Sequence, residues 1–224
     1  MTARRRGALV AVAALAIAIG ACSTEPSGRA TTTTTTRTGA PASPRVLVFG
    51  DSNVFESGAD VDEALRDVGA EPMLHGVPGY GVKDLDPYWA REVPALLERD
   101  PDVVVVGLGT NDALDSVNVL AFAARLDQMM ELIGARPVVW ITHVDDRPAA
   151  PAAAGRAINE LIRTAPERWP NFTVLDFAAV MTEDPTILRG DGLHFTPAGM
   201  KVYGREIARA ATARLPAGAI SDRG

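Results

Sequence analysis

Four short apolar runs constrain this chain more than anything else in it: Val-Leu-Val-Phe at 46–49, four valines at 103–106, Val-Val-Trp-Ile at 138–141 and Phe-Thr-Val-Leu at 172–175. Each is too short for a stable helix and lacks the polar alternation of a strand with one wet face. That is the pattern of strands covered on both sides, as in a parallel sheet. A weaker fifth run lies at 71–74. Between the runs, residues 84–99, 117–133 and 153–167 have helix-like composition and spacing, and a last helix is expected after Thr196, with Pro197 at its first position. The β-α-β-α order predicts a three-layer α/β/α sandwich around a mainly parallel five-stranded sheet with right-handed crossovers. Ligands of such sheets bind at the carboxyl ends of the strands, so the chemistry is to be sought there.

What flanks this core sets the expected domain limits. Residues 22–44 are Thr, Ser, Pro, Gly and Ala in the main, with six consecutive threonines at 31–36, a composition that buries too little apolar surface to order itself. They read as a tether. The domain is expected over 45–215, with residues 216–224 as a flexible tail. Residues 1–21 carry Arg4, Arg5 and Arg6, then an apolar stretch from 8 to 19 that is short for a permanent membrane span. Ile19-Gly20-Ala21-Cys22 resembles the lipobox of bacterial lipoproteins, in which cleavage before the cysteine leaves its thiol to carry lipid. A plain secretory signal and an uncleaved anchor are the other readings. All export the protein, by a route the sequence leaves open. The expectation is a lipid on Cys22 holding the domain at the outer face of the cytoplasmic membrane or cell envelope, with some of it secreted. Cys22 is the only cysteine, which excludes an intramolecular disulfide. Removing the three arginines with residues 1–21, which contain no acid, takes the formal charge from -6 to -9. Such a surface does not attract nucleic acid.

The strand ends carry the chemistry. Gly50-Asp51-Ser52-Asn53 follows the first run, residues 76–81 (Gly-Val-Pro-Gly-Tyr-Gly) follow the weak one, and residues 107–112 (Gly-Leu-Gly-Thr-Asn-Asp) follow the third. Asp191-Gly192-Leu193-His194 precedes the last helix. Of the domain's serines, at 52, 57 and 116, Ser52 alone directly follows a strand through a glycine. Its hydroxyl needs a base. Among His75, His143 and His194, only His194 has a carboxylate, Asp191, three residues before it, a spacing that can bring the carboxylate to the ring nitrogen and fix the tautomer. Taken alone, Asp191–His194 could equally be a surface turn.

These blocks together resemble the SGNH hydrolase superfamily (GDSL-like esterases and lipases), and the resemblance covers the domain from Val46 to about Ala213. It implies the flavodoxin-like form of the five-stranded sheet. It also implies Ser52 as nucleophile, Asp191 and His194 as its acid-base partners, and an oxyanion hole made by the backbone N–H of Ser52, the backbone N–H of Gly79 and the amide of Asn111. Gly76, Gly79 and Gly81 crowd one loop. Gly79 is favoured because Gly-Val-Pro-Gly matches the family's second block best. Asn53 stands where the best-known relatives have Leu and touches no catalytic role by itself. His75 reads as a satisfied polar residue at the sheet edge. His143 with Asp145 and Asp146 reads as a solvated loop rather than a metal site, and Met129 and Met130 read as core. Tyr80, Tyr88 and Trp89 are candidates for lining a cleft. No nucleotide fingerprint is present, and no cofactor or metal is expected.

The expected activity is hydrolysis of carboxylic esters, of a small molecule, glycan or lipid, through an acyl-enzyme. Acyl transfer to an envelope glycan shares that intermediate, and a non-catalytic cell-envelope binding module is a third reading. The sequence does not set the acyl or alcohol specificity or the oligomeric state.

Overall fold

The computed structural model describes residues 43–143, 152–216 and 218–220. Cys22, the tether as far as residue 42, and Asp145 and Asp146 lie outside the described residues. The elements run β1 (Arg45–Gly50), α1 (Ser52–Glu56), α2 (Gly58–Asp67), β2 (Glu71–Gly76), α3 (Ala90–Leu97), β3 (Val103–Gly107), α4 (Thr110–Leu114), α5 (Val119–Ile133), β4 (Val138–Ile141), α6 (Ala152–Thr164), β5 (Phe172–Leu175), α7 (Phe177–Glu183) and α8 (Pro197–Thr212).

The strands pair in the order β2-β1-β3-β4-β5, every neighbour parallel. The chain moves outward from β1 to β2, then crosses back to lay β3 on the other side of β1. That reversal is a topological switch point, and it opens a crevice between the carboxyl ends of β1 and β3. Ser52 follows β1 and Asn111 follows β3, so the fold delivers both to that crevice.

Alternation along each strand divides the interior into two cores. Leu47, Phe49, Val104, Val106, Val138 and Trp140 face one side with Trp89, Val93, Phe122, Leu126, Met129, Met130 and Ile158. Val46, Val48, Val103, Val105, Val139 and Ile141 face the other with Val54, Val61, Leu65, Phe177, Tyr203 and Ile207. One layer is therefore α3, α5 and α6, and the other is α1, α2, α7 and α8. The central runs are fully buried, as the apolar pattern demanded. The edge strand β5 is not, because Thr173 and Val174 are half-buried.

Two stretches depart from the sequence reading. The helix expected over 84–99 is regular only in α3. Pro87 has no N–H to donate, and Asp86 before it sits at φ -108°, ψ 125°, outside the helical region. The polypeptide between β1 and β2, for which no helix was expected, forms α1 and α2. Elsewhere the local signals hold: Asn118 caps α5 through Leu120 and Ala121 N–H, and Thr196 caps α8 through Gly199 N–H with Pro197 next in line.

Candidate active site

Gly50 can end β1 only as glycine, because a Cβ there would run into the carbonyl of Gly107 and the side chain of Val54. The chain then turns directly into α1. The Asp51 side chain caps that helix by accepting from Asn53 N–H at 2.9 Å, and Asp51 N–H donates to Gly107 O of β3 at 3.2 Å. Ser52 is thus the first residue of a helix at the switch point, where backbone N–H groups have no partner within the helix. Its hydroxyl is partly exposed, whereas Ser57 is sealed in the interior.

Ser52 Oγ lies 3.1 Å from His194 Nε2, and His194 Nδ1 lies 2.9 Å from Asp191 Oδ2. The other Asp191 oxygen accepts from Leu193 N–H at 2.9 Å and His194 N–H at 3.0 Å, so the carboxylate is held by the turn it helps to make. Burial acts most strongly on this carboxyl and pushes it up. The His194 ring, the two backbone N–H donors and the imidazole charge together outweigh burial and bring it to about 2. Asp191 is therefore ionised whenever the protein is folded near neutrality, and it fixes the proton of His194 on Nδ1, leaving Nε2 to accept from Ser52.

The other two strand-end blocks are bound to each other and to β1. Val77 N–H donates to Gly50 O at 2.8 Å. The fully buried Asp112 carboxylate accepts from Val82 N–H at 2.8 Å and Lys83 N–H at 2.7 Å, while Asn111 Nδ2 donates to Tyr80 O at 2.8 Å. Asn111 has a second amide hydrogen, which that bond leaves available. The three glycines of the loop separate on steric grounds. A side chain on Gly76 would strike the backbone of Phe55, and one on Gly81 would strike the Asp112 carboxylate. Gly79 has φ +83° and open space around it. Packing accounts for Gly76 and Gly81, and Gly79 is left as the exposed turn residue with a backbone a ligand can approach.

A profile of the GDSL-like Lipase/Acylhydrolase family matches residues 48–202, more than half of the chain. The chain belongs to that family. Among solved structures it is similar to a lipase/acylhydrolase from Enterococcus faecalis, at 26% identity over 77% of this chain and 97% of that one, with a TM-score of 0.67. It shares its fold with the C-terminal catalytic domain of Streptococcus pneumoniae peptidoglycan O-acetyltransferase A (22% identity, 77% and 95% covered, TM-score 0.61). The acetylxylan esterase Axe2 of Geobacillus stearothermophilus has the same fold (18% identity, 82% and 100% covered, TM-score 0.57). No sequence among curated proteins matches the chain.

Within this GDSL-like domain the structure brings together Ser52, Asp191 and His194, and it sets Asn111 and the Gly79 loop at the same sheet edge. Trp89 is a correction: it is fully buried against Phe49 and donates to Gly81 O, so it supports the second block from beneath instead of lining a cleft. Tyr80 and Tyr88 remain half-buried beside it. His75 is paired with Tyr88 at 3.1 Å. Among the described residues no group of three or more His, Cys, Asp or Glu is placed to hold a metal, and no helix is long and apolar enough to cross a membrane.

Asn53 acquires a role that its position after Ser52 did not suggest. It is 9% exposed, and its Nδ2 donates to Leu193 O at 3.3 Å, joining the Ser52 helix to the turn that carries His194. Asp112 was quoted in the third block without a function and proves to anchor the second. No spacing rule could have found either contact, since both join segments far apart in sequence.

Proposed function

We propose that the protein is an extracytoplasmic serine esterase that de-acylates carboxylic esters through Ser52, His194 and Asp191. The observation that carries this reading is the unbroken chain Ser52 Oγ, His194 Nε2, His194 Nδ1, Asp191 Oδ2, with links of 3.1 and 2.9 Å. Support comes also from membership of the GDSL-like lipase/acylhydrolase family.

His194 Nε2 takes the Ser52 proton as Oγ bonds to the acyl carbon, and Asp191 stabilises the imidazolium that results. The carbonyl oxygen becomes an anion facing the N–H groups of Ser52 and Gly79 and the second amide hydrogen of Asn111. Fixed neutral donors there stabilise charge that exists only in the transition state. Nε2 then gives its proton to the departing alkoxy oxygen, leaving an acyl-Ser52. A water, deprotonated by the same nitrogen, attacks this ester; the acid leaves and Ser52 recovers its proton. No metal or cofactor enters the scheme. The lipobox-like Ile19-Gly20-Ala21-Cys22 supports export and a lipid anchor on Cys22.

Ser52→Ala should remove turnover of a short-chain ester while thermal unfolding stays cooperative; near wild-type turnover in that variant defeats the mechanism. Acyl transfer is the second reading, raised by the O-acetyltransferase domain that shares this fold. It differs only in what intercepts the acyl-enzyme. Measuring free acid against acylated acceptor as the concentration of a sugar acceptor rises separates the two.

A further inference from the structure

His194 Nε2 faces a second oxygen besides Ser52 Oγ: Glu56 Oε1, at 3.9 Å. Ser52 and Glu56 are one turn apart on α1 and so share its face. The Glu56 carboxylate is held in place, because Arg189 Nη2 forms an ion pair with its other oxygen at 2.6 Å. Arg189 in turn gives its backbone N–H to His194 O at 2.8 Å, within a hairpin closed by the Leu188–Phe195 bridge. The ion pair therefore rides on the two segments that carry the reacting groups, fixed in relation to both. At 3.9 Å it makes no hydrogen bond to the imidazole, and the acyl-transfer steps above do not use it.

Its position says what it meets. The alkoxy oxygen that leaves must stand within hydrogen-bond reach of Nε2 to receive the proton. A carboxylate oxygen 3.9 Å from that same nitrogen flanks the alcohol part of the ester. An alkyl alcohol placed there covers a carboxylate and a guanidinium and returns no hydrogen bond, which is costly. An alcohol bearing hydroxyls on the neighbouring carbons gives a donor to Glu56 and acceptors to Arg189.

We propose that Glu56 and Arg189 form an alcohol-side subsite that selects esters of polyhydroxylated alcohols, such as O-acylated sugar units, over esters of simple alcohols. The inference rests on the esterase reading of Ser52. Glu56 accepts from a hydroxyl next to the ester oxygen, and Arg189 both orients Glu56 and donates to a further sugar oxygen. The same contacts seat a sugar acceptor if the acyl group is transferred.

The test is the ratio of kcat/KM for an O-acetylated monosaccharide to kcat/KM for phenyl acetate, with melting temperature measured on each preparation. In Glu56→Ala the ratio should fall about tenfold or more, chiefly through KM for the sugar ester, the scale of losing a hydrogen bond to a charged group. Glu56→Gln keeps an acceptor oxygen without the charge, and its ratio should fall less. If Glu56 instead steadied the imidazolium, both substrates would slow together, and an unchanged ratio in both variants overturns the subsite. Ser52→Ala run alongside separates the two claims. Activity surviving there overturns the esterase reading and the subsite with it, whereas activity lost there with an unchanged ratio in the Glu56 variants overturns the subsite alone.

Discussion

The strand-end half of the site is braced by two carboxylates sealed into the interior, whereas the Asp191 and His194 half stands in a hairpin on the surface. Asp51 and Asp112 are essentially inaccessible, and each carboxylate is spent on backbone N–H groups that fix the loops around Ser52, Gly79 and Asn111. The Asp191 side chain is 47% exposed, and its hairpin reaches α1 through polar contacts of Asn53 and Glu56. The groups proposed to meet a developing charge, half-buried at Ser52 and Asn111 and exposed at Gly79, are thus braced from beneath by buried carboxylates. His194, the group proposed to shuttle protons, hangs on side-chain ties. Damage to the first half should therefore appear as lost transition-state stabilisation, and damage to the second as misplacement of the base.

The largest effect that sharpens this contrast is loss of the base itself. His194→Ala should lower kcat by about 10⁴-fold or more with little change in fold, as removal of one member of a cooperating triad does; a stopped assay at high enzyme concentration measures it. Asp191, held to about 2, stays ionised in mild acid and keeps its hold on the His194 ring there. A folded His194→Ala protein that kept near wild-type kcat would remove His194 as base.

Asn111→Ala should cost roughly 10²- to 10³-fold in kcat with KM much less affected. Asn111→Asp should be at least as harmful, since it sets a negative charge beside a forming one. If both variants melt early and the folded fraction turns over normally, Asn111 is only a brace for the loop at Tyr80, and the buried half loses its catalytic role. Asn53→Leu cuts a tie between the halves. Its expected cost is about tenfold in kcat through a loosened His194, with Asn53→Gln recovering part of the rate; equal rates in all three proteins would show that the hairpin holds itself.

The smallest effect is on stability. The Asp191 carboxyl lies below its ordinary 3.8 when folded, so its ionised form favours the folded state at neutral pH, and the contribution fades as pH falls through about 2. Because water screens a half-exposed carboxylate, Asp191→Asn should cost about 1 kcal/mol or less at pH 7. The variant and wild type should converge in melting temperature near pH 2. A larger loss that persisted in acid would mean the hairpin depends on Asp191 for something other than its charge.

Much of this was legible in the residues. The apolar runs at 46–49, 103–106 and 138–141 gave the central strands because nothing in them could face water, and Thr196-Pro197 marked the start of α8 by capping chemistry alone. Ser52, Asp191 and His194 could be nominated because strand ends and a three-residue spacing are local properties. Helices α1 and α2 carry little sequence signal because the break at Ser57 leaves α1 only five residues long and α2 opens on a glycine. Trp89 reads either way in the sequence, because an aromatic near a glycine-rich loop can line a cleft or plug a core, and only its packing against Phe49 of β1 decides. The contacts of Asn53, Glu56, Asp112 and Arg189 are tertiary, and composition does not encode them.

We propose Ser52 as the activated nucleophile of this GDSL-like domain. Its most direct test is exposure of the folded protein to a fluorophosphonate, followed by intact mass and peptide mapping. One adduct is expected, on Ser52, absent from Ser52→Ala and strongly slowed in His194→Ala. An unlabelled wild type, or a label on another residue that persists in Ser52→Ala, would contradict it.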